Sequence, residues 1–329
     1  MLEFNSLINR IKTVRPEEFD SIALEVFELQ YHHNETYREW CTSLRKTPNT
    51  VSKLAEVPFL PIEFFKSHHI VTGEWKAETV FESSGTTGTQ TSRHYVANEG
   101  FYLQNCVDAF ESTYGKLSDF VVLALLPSYL ERGSSGLISM VNRFIQLSES
   151  GDSGFYLNEL DFLYTKLRQL KDGGKKVILW GVTFALLDFA EEYQLAFPEL
   201  IIMETGGMKG RREEMVRSEV HARLKESFGV NQIHSEYGMT ELFSQAYSKG
   251  EGVFQPAKTM KVIGRDINDP LSYPSGNRTV ALNIIDLANI QTCSFIETKD
   301  LGTVYEEGSF EVKGRMDNSD IRGCNLLVV

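Results

Sequence analysis

The sequence predicts an α/β fold: a mostly parallel sheet covered by helices, with a small antiparallel β region behind it. Short, continuous apolar runs at Asp119–Leu126, Lys175–Gly181 and Glu199–Met203 each end in a loop and lead into a segment with helical spacing. Such runs are how strands buried on both faces read, and their alternation with helices builds parallel sheets. After about Phe254 the texture changes, and Gly, Pro, Asn and Asp punctuate short β-like pieces, the pattern of hairpins.

Taken in order, residues 1–47 predict helices. Phe19, Ile22, Ala23, Val26 and Phe27 recur at helical spacing behind a Pro16-Glu17-Glu18 start. His32-His33 and His68-His69 are adjacent pairs, which point apart on a helix and do not read as metal ligands. Val57–Ile62 carries two prolines and reads as an extended apolar connection. Ser83–Gly88 is a run of Ser, Thr and Gly only. It reads either as a flexible linker or as a loop whose N–H and O–H groups cradle an anion, with Arg93 and His94 adding positive charge. It has neither the Gly-Lys-Ser/Thr ending of a Walker loop nor a dinucleotide-binding glycine pattern.

Residues 98–115 predict a helix, then come the strand 119–126 and a helix over 137–147. Gly133–Leu137 lacks the final glycine of a hydrolase elbow. The strand at 175–181 leads to a helix over 184–193, and the strand at 199–203 to Thr205-Gly206-Gly207 and a charged helix from about Arg211 to Phe228. Gln232–His234 reads as a short strand before Ser235-Glu236-Tyr237-Gly238-Met239-Thr240-Glu241. Ligands of such sheets sit where the loops at strand C-termini converge. Beyond Phe254 the expected β pieces are 258–262, 278–286, 293–297, 302–305 and 309–313.

The 329 residues carry 33 basic and 45 acidic side chains, a formal net charge of −12, which argues against a nucleic-acid partner. The first ten residues show no secretory signal, no window is apolar enough for a transmembrane segment, and a cytoplasmic location is expected. Cys41, Cys106, Cys293 and Cys324 are scattered and indicate neither a zinc site nor a disulfide framework.

Five stretches stand in a fixed order: Ser83–Gly88, Thr205-Gly206-Gly207, Glu236-Tyr237-Gly238-Met239-Thr240-Glu241, Thr298-Lys299-Asp300-Leu301-Gly302 and Gly314-Arg315. Together they resemble the adenylate-forming superfamily, which joins a carboxylate to the α-phosphorus of ATP and releases pyrophosphate. The chain is most similar to its acyl-protein synthetase (LuxE-like) family, with phenylacetate-CoA ligases next. Val57–Lys66, Leu126–Arg132 and Arg322-Gly323-Cys324 look like that family's signature regions.

The resemblance implies an adenylate-forming N-terminal-domain fold over residues 1–314. A short tail, 315–329, would stand in place of the usual C-terminal domain with its late catalytic lysine. It implies ATP and Mg²⁺. Ser83, Ser84, Gly85, Thr86, Thr87 and Gly88 would hold the β- and γ-phosphates, with Arg93 substituting for the lysine the superfamily often has where Thr91 stands. Gly206 and Gly207 would admit the base, Tyr237 would lie along it, Thr240 would approach the α-phosphate and Glu241 would hold Mg²⁺. Asp300 would accept from the ribose hydroxyls, with Arg315 nearby. Lys299 departs from the usual glycine and puts a charge either near the nucleotide or in solvent.

Cys324 reads either as a small packed residue or, as the resemblance implies, as a catalytic acyl-carrying thiol beside Arg322. The implied function is ATP-dependent activation of a carboxylic acid, expected to be fatty, and transfer to Cys324. From there the acyl group would pass to an acceptor protein, a reductase or carrier protein, or to coenzyme A. The alternatives are an acyl- or aryl-CoA ligase completed by a partner and a relative that binds nucleotide or acyl chains without turnover.

Overall fold

The structure, a computed structural model, describes residues 2–83, 90–126, 135–157, 159–206, 215–274 and 276–316. Two compact units divide the chain: Met1–Glu74 with Lys258–Val329, and Trp75–Ala257.

The first unit opens with helices α1 (Leu2–Lys12), α2 (Phe19–His33) and α3 (Glu35–Ser43). One apolar stripe of α2 buries Phe19, Ile22, Ala23, Val26, Phe27 and Leu29, as the spacing predicts. Asn34 ends α2 and caps α3, accepting from the Tyr37 amide at 2.9 Å. Val57–Leu60 is buried. It leads through strand β1 (Leu60–Pro61) to the single turn α4 (Phe64–Ser67).

The second unit begins with a hairpin, β2 (Thr79–Glu82) and β3 (Arg93–Val96). Helix α5 (Glu99–Tyr114) follows, capped by the Asn98 side chain, which accepts from the Phe101 amide at 2.7 Å. Next come β4 (Phe120–Leu125), α6 (Gly136–Leu147), β5 (Gly154–Phe155), α7 (Leu160–Leu170), β6 (Lys176–Val182) and α8 (Thr183–Glu192). Then follow β7 (Ile201–Thr205), α9 (Arg217–Phe228), β8 (His234–Tyr237), β9 (Ala246–Ser248) and β10 (Val253–Pro256).

The strand order is β5-β4-β6-β7-β8-β9-β10. The first five strands are parallel, and β9 and β10 return antiparallel. Leu125, Val182, Thr205 and Tyr237 therefore end their strands at one edge. On the α5 face, Phe110 packs among Tyr114, Phe120, Phe144, Trp180 and Tyr247. This aromatic core fixes α5 against the sheet.

The chain then returns to the first unit as an antiparallel sheet, β11 (Met260–Arg265), β12 (Val280–Asp286), β13 (Phe295–Val304) and β14 (Phe310–Arg315). β1 lies parallel to β13, with Leu60 opposite Ile296. Phe27, Tyr37 and Phe59 surround Phe295. Gln30 of α2 donates to the Asn289 and Ile290 carbonyls, both at 3.1 Å, so the two sequence halves of this unit share one core.

Several boundaries differ from the sequence expectation, among them the following. The two expected pieces 293–297 and 302–305 are one strand, β13, with a register shift at Leu301/Gly302. β8 starts at His234 and runs into Tyr237. The charged helix starts at Arg217. Among the described residues no helix is long and apolar enough to cross a membrane.

Candidate functional site

The neck of the Ser/Thr/Gly loop is closed by Ser83. Its amide donates to the Ser92 carbonyl at 3.1 Å, and its Oγ accepts from the Ser92 amide at 2.9 Å. Ser84, Gly85, Thr86, Thr87 and Gly88 lie outside the described residues. Arg93 leaves the neck exposed and faces Glu82 at 3.5 Å, so part of its charge is answered within the hairpin.

His94 corrects the expectation of added positive charge. It is fully buried and stacks on Phe243, with ring centroids 4.6 Å apart. Burial pushes its pKa down to about 4 against the opposing pull of the Thr240 carbonyl, so the ring is neutral at physiological pH. Its Nδ1 lies 2.8 Å from that carbonyl, and a neutral ring placed there donates through Nδ1. Asn105 of α5 fixes the same segment three residues on, donating to the Phe243 carbonyl at 3.1 Å and to Ser244 Oγ at 3.2 Å. The hairpin and α5 thus hold the loop that carries Tyr237, Thr240 and Glu241.

His94→Leu is expected to lower the unfolding free energy by about 1–3 kcal/mol by leaving the Thr240 carbonyl without this donor. Urea titration reads the change, and a value within about 0.5 kcal/mol of the parent would contradict the assigned contact. A histidine pKa lowered from 6.5 to about 4 contributes stability that is complete above pH 6.5 and is lost as pH falls through 4. His234, also held near 4 by burial and by Lys249, contributes in the same direction.

At the sheet edge Thr205 ends β7 and Gly206 turns the chain with φ +73°, a left-handed conformation that favours glycine. Gly207 lies outside the described residues. Two glutamates occupy opposite faces of the sheet here. Glu204 accepts from Thr183 Oγ1 at 2.6 Å and Ser235 Oγ at 3.1 Å, with His221 Nε2 at 3.5 Å. Burial raises its pKa, but the His221 and Thr183 contacts and the Arg217 charge outweigh that and hold it below the ordinary value. Glu236 accepts from the Thr205 hydroxyl. With burial opposed only by that contact, its pKa rises to about 7.

Tyr237 is buried, its ring 5.8 Å from that of Phe254. Thr240 is half-buried, and Glu241, buried at 7% exposure, sets a carboxylate into the loop. In the first unit, Asp300 and Arg315 are cross-strand partners with Asp300 Oδ1 3.1 Å from Arg315 Nε. The Asp300 amide donates to Thr298 Oγ1 at 3.1 Å. Asp300 is thus a strand residue with an arginine partner. Lys299 forms an ion pair with Glu63, so its charge is engaged within this unit. Cys324 lies outside the described residues.

Thr205 and Glu236 fall within the stretches singled out in the sequence but carry no role there, and the positioning role of His94 is missed. The available signal was polar residues inside short strands beside the Tyr-Gly-x-Thr-Glu stretch, which a search for apolar runs passes over.

Residues 14–102 match the family described as acyl-protein synthetase, LuxE. The long-chain-fatty-acid–luciferin-component ligase of Photorhabdus luminescens is 30% identical over 71 residues, 21% of this chain and 60% of that protein. The chain thus spans less than two thirds of that relative. A 2-hydroxyisobutyryl-CoA ligase in complex with 2-HIB-AMP and CoA superposes with a TM-score of 0.68 at 15% identity, covering 94% of this chain and 78% of that one. ATP-bound MatB from Rhodopseudomonas palustris gives 0.54 at 15% identity, covering 86% and 58%. The chain matches the acyl-protein synthetase, LuxE, family through residues 14–102, and its fold is like those of the 2-hydroxyisobutyryl-CoA ligase and MatB structures.

Proposed function

We propose that this protein is an ATP-dependent acyl-protein synthetase. It activates a carboxylic acid as its acyl-adenylate and passes the acyl group to the Cys324 thiol and then to an acceptor protein. The observation that carries the proposal is the placement of Tyr237–Glu241 at the C-terminal edge of the parallel strands, tied by His94 to the hairpin that bears the Ser83–Gly88 loop.

Attack of one anion on another needs charge offset and alignment. Ser83–Gly88 and Arg93 bind the polyphosphate, Thr240 approaches the α-phosphate, and Gly206, Gly207 and Tyr237 receive the base. Asp300, held by Arg315, binds the ribose hydroxyls. Glu241 would hold Mg²⁺, a hard ion that takes carboxylate oxygens, and the ion would offset polyphosphate charge. In the transfer step the Cys324 thiolate attacks the acyl carbon, a thioester forms, the acyl–oxygen bond to phosphate breaks and AMP leaves with that oxygen.

Pyrophosphate exchange across fatty, short-chain and aryl acids tests the first half. Acid-dependent exchange is expected, and none with any acid at high enzyme concentration would overturn it. Trapped acyl-enzyme that disappears in Cys324→Ser supports the protein thiol. A second reading, an acyl- or aryl-CoA ligase, is favoured by the CoA-ligase folds that superpose on this chain. Product formed only with coenzyme A and a partner protein would establish it.

A further inference from the structure

The Glu236 carboxyl has no part in the chemistry above, yet it is buried at the junction of two site loops. Thr205 and Glu236 are register partners on the parallel strands β7 and β8. The Thr205 hydroxyl donates to Glu236 Oε2. The other carboxyl oxygen, Oε1, folds over Gly238, where a Cβ would collide with it. Glu236 thus spans from the first turn of the Tyr237–Glu241 loop, where its Oε1 lies against position 238, to the hydroxyl of the last residue before Gly206.

Among the described residues, the titratable groups that interact with this carboxyl's charge are Tyr102 of α5 and Tyr247 of β9. Both tyrosines are buried, which raises their pKa values well above the ordinary value, with the Glu236 charge adding to the effect. Glu204 belongs to the opposite face of the sheet, where Thr183, Ser235 and His221 engage it. The Tyr247 hydroxyl and Gln245 Oε1 are buried without hydrogen-bond partners among the described residues, and Gln245 Cγ also packs toward Gly238. An ionised Glu236 is thus poorly solvated, whereas a neutral one keeps the Thr205 bond at little cost.

We propose that Glu236 is the positioning residue that sets the Tyr237–Glu241 loop, its carboxyl clamping the loop backbone at Gly238 to the end of β7 at Thr205. With a pKa of about 7, raised from 4.5, the stabilisation from the neutral form is complete below pH 4.5 and is lost as pH rises through 7. The loop is consequently held about tenfold less firmly at pH 8 than at pH 6. Only the ligand arm of the test rests on the loop being the nucleotide site.

Amide hydrogen exchange of the loop peptide, corrected for intrinsic rates, decides it on the full chain. At pH 8 about nine-tenths of Glu236 is ionised, so protection at Gly238–Thr240 is expected to fall about tenfold between pH 6 and pH 8. Glu236→Gln, which mimics the neutral acid, keeps protection at both pH values. Thr205→Val and Glu236→Ala lose it at both. The proposal is overturned if the glutamine variant loses protection as the parent does, or if Thr205→Val leaves the loop as protected as the parent at pH 6. ATP titration by calorimetry is expected to weaken in parallel in the parent and to stay constant in Glu236→Gln. Absence of ATP binding with the exchange pattern intact would refute the nucleotide site and sustain the clamp.

Discussion

Gly302→Ala is expected to cost about 3 kcal/mol or more of unfolding free energy. Gly302 sits at the register shift of β13, between Val280 of β12 and Val312 of β14. A Cβ added there would land on the carbonyl oxygen of Glu311. The obstruction is backbone, so no side chain can rotate away, and the β13–β14 pairing must open to admit a methyl group. Asp300 and Arg315 sit on those same two strands, so the displacement also reaches the proposed ribose pair. Chemical denaturation checks the effect, with Gly154→Ala as the control because a Cβ there meets nothing within 4 Å. A Gly302→Ala protein within about 0.5 kcal/mol of the parent would show that the close approach is dispensable.

The second large effect concerns chemistry. Glu241→Gln preserves the size and burial of the side chain and removes its charge. If Glu241 holds the metal that offsets polyphosphate charge, pyrophosphate exchange falls about 10²-fold or more while the thermal midpoint stays near that of the parent. Glu241→Asp, which keeps the charge, recovers part of the loss at raised Mg²⁺. Exchange at the parental rate in Glu241→Gln would remove Glu241 from the metal role.

The parallel core was legible because its strands are apolar on both faces. Phe120–Leu125 is buried at every position, and such a run has few other interpretations. Polar strands were harder. In β13, Thr298 and Asp300 are the inward residues, buried at 0% and 4% exposure, while Lys299 between them points outward to Glu63. The inside of that segment is polar, so hydrophobic alternation splits it in two. β8 is shifted for the same reason: Ser235 and Glu236 are buried by partners on β7 that lie 31 residues earlier in the chain. β9 and β10 are too short to announce themselves.

Within the candidate site, the sequence order of Ser83, Gly206, Tyr237, Glu241, Asp300 and Arg315 was enough to nominate them. The structure adds what holds some of them. His94 looks like a surface charge beside Arg93, and only its stacking on Phe243 and contact with Thr240 reveal a buried neutral ring. Glu236 looks like one more acid in an acidic chain until Thr205 and Gly238 are seen against it.

The most direct test of the account is the fate of the carboxylate oxygen. With acid labelled in both carboxyl oxygens by oxygen-18, adenylation followed by thiol transfer leaves one labelled oxygen in each AMP released, and pyrophosphate as the other product. That is the predicted result for this chain, with a thiol acceptor and an acid that supports exchange. Unlabelled AMP, or ADP with label in inorganic phosphate, would mean that the acid is never joined to the α-phosphorus and would contradict the central claim.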